Sequence, residues 1–335
     1  MIGVFDRALE IIDLEVKAKT VSGTAELLNI KELILDWGEI VGIVGESGSG
    51  KSILALTIMG LLPKNAYVTK GKILYKGEDL LKKNEKFMRE KIRGNEITMI
   101  FQDPMASLNP VFTVRNQLTS VIKVKNPQLS KNEIYKKAIE MLDVVKLSDP
   151  EMTMNKYPHE LSGGMRQRVL IAMALSAQAK ILISDEATRA LDVTIQLGII
   201  KLIQELGEKF NLSTLFISSN MALIATVCKK INVLYSGEVI EKGNTNDIIK
   251  EARHVYTKSF LASLPTEGKK GTVLPILEGN YLSILDKPKN CIFSNRCPII
   301  TDECRGEKPS LSAISESHSV SCFKNLNSDK TDKGT

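Results

Sequence analysis

Residues 39–52 read EIVGIVGESGSGKS, an apolar run rich in β-branched residues that passes through a glycine loop and ends on Lys51 and Ser52. The loop satisfies G-x-x-x-x-G-K-[ST], and it lies between a strand pattern and a helix pattern, as that motif requires. Glycines at 45, 48 and 50 let the backbone turn tightly. The loop's backbone N–H groups are then expected to point inward, where phosphate oxygens can sit, and Gly45, Glu46, Ser47, Gly48, Ser49 and Gly50 are the expected ATP-binding residues. Lys51 is placed to reach the β- and γ-phosphates, and Ser52 offers its hydroxyl to Mg²⁺. The start of the following helix adds partial positive charge at the same place.

A second segment completes such a site. In ILISDEA (181–187) an apolar strand ends in two acids. An acidic pair after a strand is by itself usually only a strand end. Beside a phosphate loop, Asp185 is expected to hold the Mg²⁺ shell and Glu186 to orient or deprotonate an attacking water, a role worth ~10²–10⁴ in rate.

The rest of the chain alternates in the same way. The apolar runs ITMIFQ, ILISDE, TLFIS and INVLY are separated by helix-period segments, which predicts an α/β fold on a parallel sheet covered on both faces. Before it, residues 1–40 read as an antiparallel ribbon with a turn at VSGTAE. Residues 103–165 have helix-period apolar positions and no buried-strand run, which suggests a helical insertion. VLYSGEVIEKG (233–243) closes the core as a strand, and 265–290 is a connecting arm rich in Pro, Gly and Lys. The predicted division is 1–262 for the nucleotide-binding domain, 263–325 for a C-terminal extension and 326–335 for a disordered polar tail.

Composition excludes several classes. The chain is 43% hydrophobic and 25% charged, ordinary for a globular protein. No apolar run approaches the ~20 residues needed to cross a bilayer, and the N-terminus lacks a signal-peptide core. The net charge of +6 is scattered, and the 5% of aromatics do not interleave with it, so no nucleic-acid partner is expected. Solvated helix faces explain the basic clusters, with attraction to a membrane surface as the alternative. Cys228 stands in an apolar stretch and reads as core. Cys291, Cys297, Cys304 and Cys322 cluster late in the chain, as metal or iron–sulfur ligands do in a reducing compartment.

LSGGMRQR (161–168) is the remaining motif. Ser162 with the N–H groups of Gly163 and Gly164 could form a second anion-binding helix start, or an ordinary helix cap. This segment, with GESGSGKS, FQDPMASLNP (101–110), ISDEATRALDVT (183–194) and PKNCIFSNRCP (288–298), makes the chain resemble the ATP-binding-cassette (ABC) transport ATPases, in the oligopeptide, dipeptide and nickel importer branch. The resemblance spans roughly residues 8–323.

It implies a P-loop NTPase fold with a RecA-like parallel-sheet core, an N-terminal antiparallel β subdomain, a helical insertion and a small Cys-containing extension. It implies ATP and Mg²⁺, the ion being held through Ser52, Gln102 and Asp185, with Gln102 also near the attacking water. Leu161, Ser162, Gly163, Gly164 and Gln167 would act in trans on the ATP of a second ATPase subunit, and Ala190, Leu191 and Asp192 would form the loop crossing that interface. Some members hold a [4Fe–4S] cluster on cysteines like Cys291, Cys297, Cys304 and Cys322. Four thiolates suit it, although no C-x₂-C pair is present; zinc or plain thiols are the alternatives.

Three departures stand out. The switch histidine expected after TLFIS is Ser219, followed by Asn220 in place of Asp. The aromatic that stacks on adenine is replaced by Ala18. Ala187 and Arg189 stand where Pro and Thr are usual. The expected function is the ATP-hydrolysing subunit of a peptide importer at the inner face of the cell membrane. It would work with two transmembrane permease subunits and an extracytoplasmic binding protein, pairing as a heterodimer because its own ATP site is impaired. A nickel or metallophore importer and a non-hydrolysing regulatory subunit are the alternatives. A soluble ABC protein of translation or DNA repair fits less well, because the chain has one cassette and no sustained heptads.

Overall fold

The computed structural model describes residues 7–189, 191–264, 277, 279, 285 and 287–324. Ala190, most of the 265–290 arm and the 326–335 tail lie outside the described residues. The chain divides into two compact units, Leu35–Ile40 with Lys82–Ser218, and Leu9–Ile34 with Val41–Leu81 and the described residues from Ser219 onward; Arg7 and Ala8 join the former.

The second unit holds two sheets. One is antiparallel, in the order β2 (Gly23–Asp36), β1 (Arg7–Thr20), β4 (Ala66–Tyr75), β5 (Glu78–Asp79). The ribbon read from residues 1–40 is therefore joined by two strands that the periodicity does not announce. In AYVTKGKILY only Ile73 and Tyr75 are buried, so the strand carries no apolar run. The other sheet runs β11 (Ser312–Ser315), β12 (His318–Val320), β10 (Glu238–Asn244), β9 (Lys230–Tyr235), β3 (Ile40–Val44). Within it β3 and β9 are parallel and the remaining pairs antiparallel. VLYSGEVIEKG is not one strand but the β9–β10 hairpin, reversing at Ser236 (φ 45°) and Gly237 (φ 85°). Both central residues have positive φ, which matches the twist of a tight hairpin.

In the first unit the parallel strands β6 (Ile97–Ile100), β7 (Ile181–Asp185) and β8 (Ser213–Ser218) lie in sequence order. All residues of β7 and β8 are buried, as expected of strands covered on both faces. Between β6 and β7 the chain is helical: α3 (Pro104–Ser107), α4 (Val114–Lys125), α5 (Lys131–Val144), α6 (Pro150–Asn155) and α7 (Gly163–Ser176). Their starts are written in side chains. Asp103, Thr113, Ser130, Asp149 and Ser162 each accept a hydrogen bond from the first turn of the helix that follows, each worth ~1 kcal/mol. The helix α2 (Glu85–Phe87) precedes β6, and α8 (Val193–Phe210) follows β7. The second unit adds α1 (Lys51–Met59), α9 (Met221–Val227), α10 (Thr245–Glu251), α11 (Val255–Ala262) and α12 (Asp302–Gly306).

Candidate active site

In the second unit β3 delivers the chain directly into the phosphate loop. Gly45 is there for want of space, since a Cβ would lie 2.1 Å from the Leu234 carbonyl oxygen. Gly50 has φ 101° and precedes α1 without any side-chain cap. The five helix starts named above each carry one. No N-cap side chain closes the start of α1, and an anion is the ligand that such a terminus attracts. Lys51 is buried, and its Nζ donates to the carbonyls of Gly45 and Glu46 at 2.8 Å each. Ser47 and Gly48 at the loop's tip are exposed, while Ser49 is buried.

The acids belong to the first unit. Asp185 ends β7 buried. Glu186 is 6% exposed and adopts φ 43°, a conformation that L-residues rarely hold and that clusters at functional sites. Its N–H donates to the Ile217 carbonyl at 2.9 Å, and its own carbonyl accepts from the Arg189 N–H at 3.0 Å. Gln102, just beyond β6, donates from Nε2 to Glu186 Oε2 at 3.4 Å. Arg189 reaches the same oxygen, Nη1 to Oε2 at 3.0 Å. The unusual arginine of ISDEATRALD is therefore an ion-pair partner of the expected base.

At the signature, Ser162 caps α7, its Oγ accepting from the Met165 N–H at 3.3 Å. Ser162 is exposed and Gly163 half-buried, with Leu191 and Ile195 packed close to the two glycines. Leu161 is buried. Gln167 is 0% exposed, and neither end of its amide meets a partner within the described residues; it lies inside the unit rather than on the surface that Ser162 offers. Asp192 is exposed and caps α8 through the Ile195 N–H at 3.0 Å. Ser219 follows β8 half-buried. Asn220 caps α9, accepting from Ala222 and Leu223, so the Asn for Asp exchange keeps a capping oxygen. Ala18 is 5% exposed and pairs with Ala66 in the β1–β4 ladder.

Gln102 and Asp185 of the first unit offer an amide and a carboxylate oxygen, and Ser52 of the second a hydroxyl, each by its chemistry a hard donor of the kind that Mg²⁺ takes. The late cysteines fit their expected cofactor poorly. Cys291 is pushed up to about 11, first by burial and then by the charges of Cys304, Cys297 and Cys322. Yet no three His, Cys, Asp or Glu side chains among the described residues are grouped to hold a metal. As placed, these thiols do not fit a [4Fe–4S] cluster or zinc, and among the described residues no disulfide joins them.

Residues 28–189 match the ABC transporter family, and residues 240–304 match the C-terminal region of oligopeptide/dipeptide transporters. The chain is 44% identical over 285 residues to the dipeptide transport ATP-binding protein DppD of Escherichia coli (strain K12), covering 85% of this chain and 86% of that protein. The chain belongs to the ABC transporter ATPases. The oligopeptide transport ATP-binding protein OppD of Bacillus subtilis (strain 168) is 42% identical over 316 residues, covering 94% of this chain and 88% of that protein. Among solved structures, the dimeric post-hydrolysis ATP-binding cassette MJ0796 bound to ADP and Pi superposes with a TM-score of 0.63 at 27% identity. It covers 71% of this chain and 98% of that one.

The fold is accordingly that of a P-loop NTPase with an ABC cassette core, and the family implies ATP and Mg²⁺. When bound, Mg²⁺ would supply neutralisation of the phosphate charge. By their chemistry, the phosphate loop with Lys51 is suited to holding phosphates, and the Gln102–Glu186 pair to addressing a water. Among the described residues no helix is long and apolar enough to cross a membrane.

Proposed function

We propose that this ABC ATPase is the energy-coupling subunit of a peptide importer. It would sit at the inner membrane face, bound to two permease subunits that receive peptides from an extracytoplasmic binding protein. The similarity to DppD and OppD and the oligopeptide/dipeptide C-terminal match support a peptide cargo. ATP binding would draw this chain and a second ATPase subunit together, and hydrolysis would release them.

Within that pair we assign this chain the weaker hydrolytic site. The observation that carries this reading is the Arg189–Glu186 ion pair at 3.0 Å, in a chain that carries Ser219 in place of the switch histidine. A carboxylate paired with a guanidinium is a weaker base, and one of its oxygens is already engaged. Losing one aligned transition-state donor costs ~10²–10³ in rate, about 3–4 kcal/mol. Ser162, Gly163 and Gly164 meanwhile supply the signature for the partner's ATP, and Leu191 and Asp192 lie on the crossing loop with Ala190.

The test is turnover of the assembled complex. Glu186→Gln here is expected to change ATP hydrolysis by less than about threefold, whereas the same change in the partner removes nearly all of it. Loss of turnover with Glu186→Gln alone, the partner's change being tolerated, overturns the assignment. The four late cysteines enter this reading only through the resemblance. Iron content and a broad band near ~400 nm in anaerobically purified protein measure the cluster directly, and four iron atoms per chain would reinstate it.

A further inference from the structure

Glu46 is the second residue of the phosphate loop, and its side chain faces away from the cradle toward the C-terminal extension. Arg296 meets it there in a forked pair, Nη1 to Oε2 at 2.9 Å and Nη2 to Oε1 at 3.5 Å. The arginine side chain is only 6% exposed. Its guanidinium lies over the Tyr235 ring, 5.9 Å from the centroid, and Nη2 also reaches the Leu277 carbonyl at 3.4 Å. Burial opposes the charge on Arg296, but the Glu46 carboxylate outweighs it and holds the guanidinium above its usual range.

The turn that presents Arg296 is itself anchored. Phe293 is buried and packs edge-on against Tyr235 (5.3 Å), His254 (5.4 Å) and Tyr256 (5.8 Å). Tyr256 returns to the same loop residue, its Oη accepting from the Glu46 N–H at 2.9 Å. The Glu46 carbonyl accepts from Lys51 Nζ at 2.8 Å and from the Ser49 N–H at 3.2 Å. One residue thus joins the extension on its outer side to the phosphate-binding lysine on its inner side. A second tie runs nearby: Lys287 pairs with Glu26 at 3.4 Å, beside Gly237, whose N–H donates to the Ser49 carbonyl at 2.7 Å.

We propose that Arg296 is a positioning residue for the phosphate loop, through which the C-terminal extension sets this chain's affinity for ATP. The proposal rests on the reading of GESGSGKS as an ATP site. When ATP arrives, Lys51 must leave the Gly45 and Glu46 carbonyls for the phosphates, and the loop then relies on its outer ties to keep its N–H groups aimed. A bidentate arginine fork does this with geometric specificity that a lysine lacks.

The experiment is equilibrium binding of a fluorescent ATP analogue to the full chain, with thermal unfolding measured alongside. Arg296→Ala is expected to raise Kd roughly 10-fold, or about 1.4 kcal/mol, in protein whose folded fraction is unchanged. Arg296→Lys should fall between it and the native chain. Glu46→Gln should weaken binding to the same extent, and the double variant should be no worse than either single one. That non-additivity is a readout that a general loss of packing would not produce.

If Arg296→Ala fails to fold, Glu46→Gln and Arg296→Lys carry the test. Lys51→Ala separates the two ideas. If it abolishes binding while the Arg296 and Glu46 variants bind within twofold of native, the positioning role is overturned and the ATP site stands. If Lys51→Ala binds ATP as well as the native chain, the site reading fails and the proposal falls with it.

Discussion

The phosphate loop and the acidic end of β7 are treated differently by their surroundings. Around the loop, Tyr256 and Gly237 hold the backbone and Arg296 holds the Glu46 carboxylate, and α1 begins with no N-cap side chain bonding to it. At the end of β7, by contrast, two side chains, Arg189 and Gln102, both reach one oxygen of Glu186. Under the proposed function, the first arrangement would favour binding and the second would restrain reaction. On the proposed reading, binding and chemistry would be under separate control, in a subunit whose ATP would act mainly to hold two chains together.

The most damaging way to break this contrast is on the binding side. Gly45→Ala places a methyl 2.1 Å from the Leu234 carbonyl, a backbone atom that cannot step aside as a side chain would. We expect nucleotide binding to fall by more than about 100-fold, and chain stability with it. Measured ATP affinity within threefold of native would show that the loop is far softer than its ties suggest.

On the chemical side, the restraint should be removable. Arg189→Thr removes the guanidinium from Glu186, and Ser219→His supplies an imidazole. Together they are expected to raise hydrolysis in this chain's own site by ~10²–10³, read in complexes whose partner site carries its own Glu→Gln change. A rise with Ser219→His alone, and none from Arg189→Thr, would remove the arginine from the account.

Much of this contrast was legible in the sequence. GESGSGKS, ILISDEA and LSGGMRQR are local patterns, each decided by residues a few places apart. The ISSN and ATR departures were visible as departures. What Arg189 touches was not, because it depends on Glu186 turning to φ 43°. The Arg296–Glu46 pair joins residues 250 apart in sequence, and no periodicity announces a contact of that span. β4 hid behind lysines and a glycine, and the reversal at Ser236–Gly237 hid in a run that alternates well enough to pass for one strand.

A smaller effect tests the seat of the extension. Burial holds His254 down to about 4, against an ordinary 6.5, so it stays neutral. In that form Nδ1 accepts from the Tyr256 N–H at 3.1 Å and caps α11. The folded value is depressed, so the stabilisation is complete above pH 6.5 and is lost as pH falls toward 4. It is worth about 3 kcal/mol over that window. Urea denaturation at pH 7 and pH 4.5 should show the loss, and His254→Asn, which keeps a cap acceptor but does not titrate, should lack that share of it. An equal loss in both proteins would place the pH sensitivity elsewhere.

The smallest effect bears on the signature, where the two kinds of surface meet in one helix. Ser162 faces solvent, while Gln167, five residues on, is sealed inside with its amide meeting no partner within the described residues. A buried amide without hydrogen bonds costs ~1–3 kcal/mol, so Gln167→Met, close in shape, should stabilise the isolated chain by about 1 kcal/mol, or a few degrees in Tm. The assembled complex then discriminates. If the amide serves the partner's nucleotide once the subunits close, the same variant will lower the partner's turnover while raising the isolated chain's Tm, and the penalty paid in the free subunit is the cost of a group held for use in the dimer. If turnover is unchanged, the donor surface consists of Ser162 and the two glycine N–H groups alone, and Gln167 is a packing residue that happens to be polar.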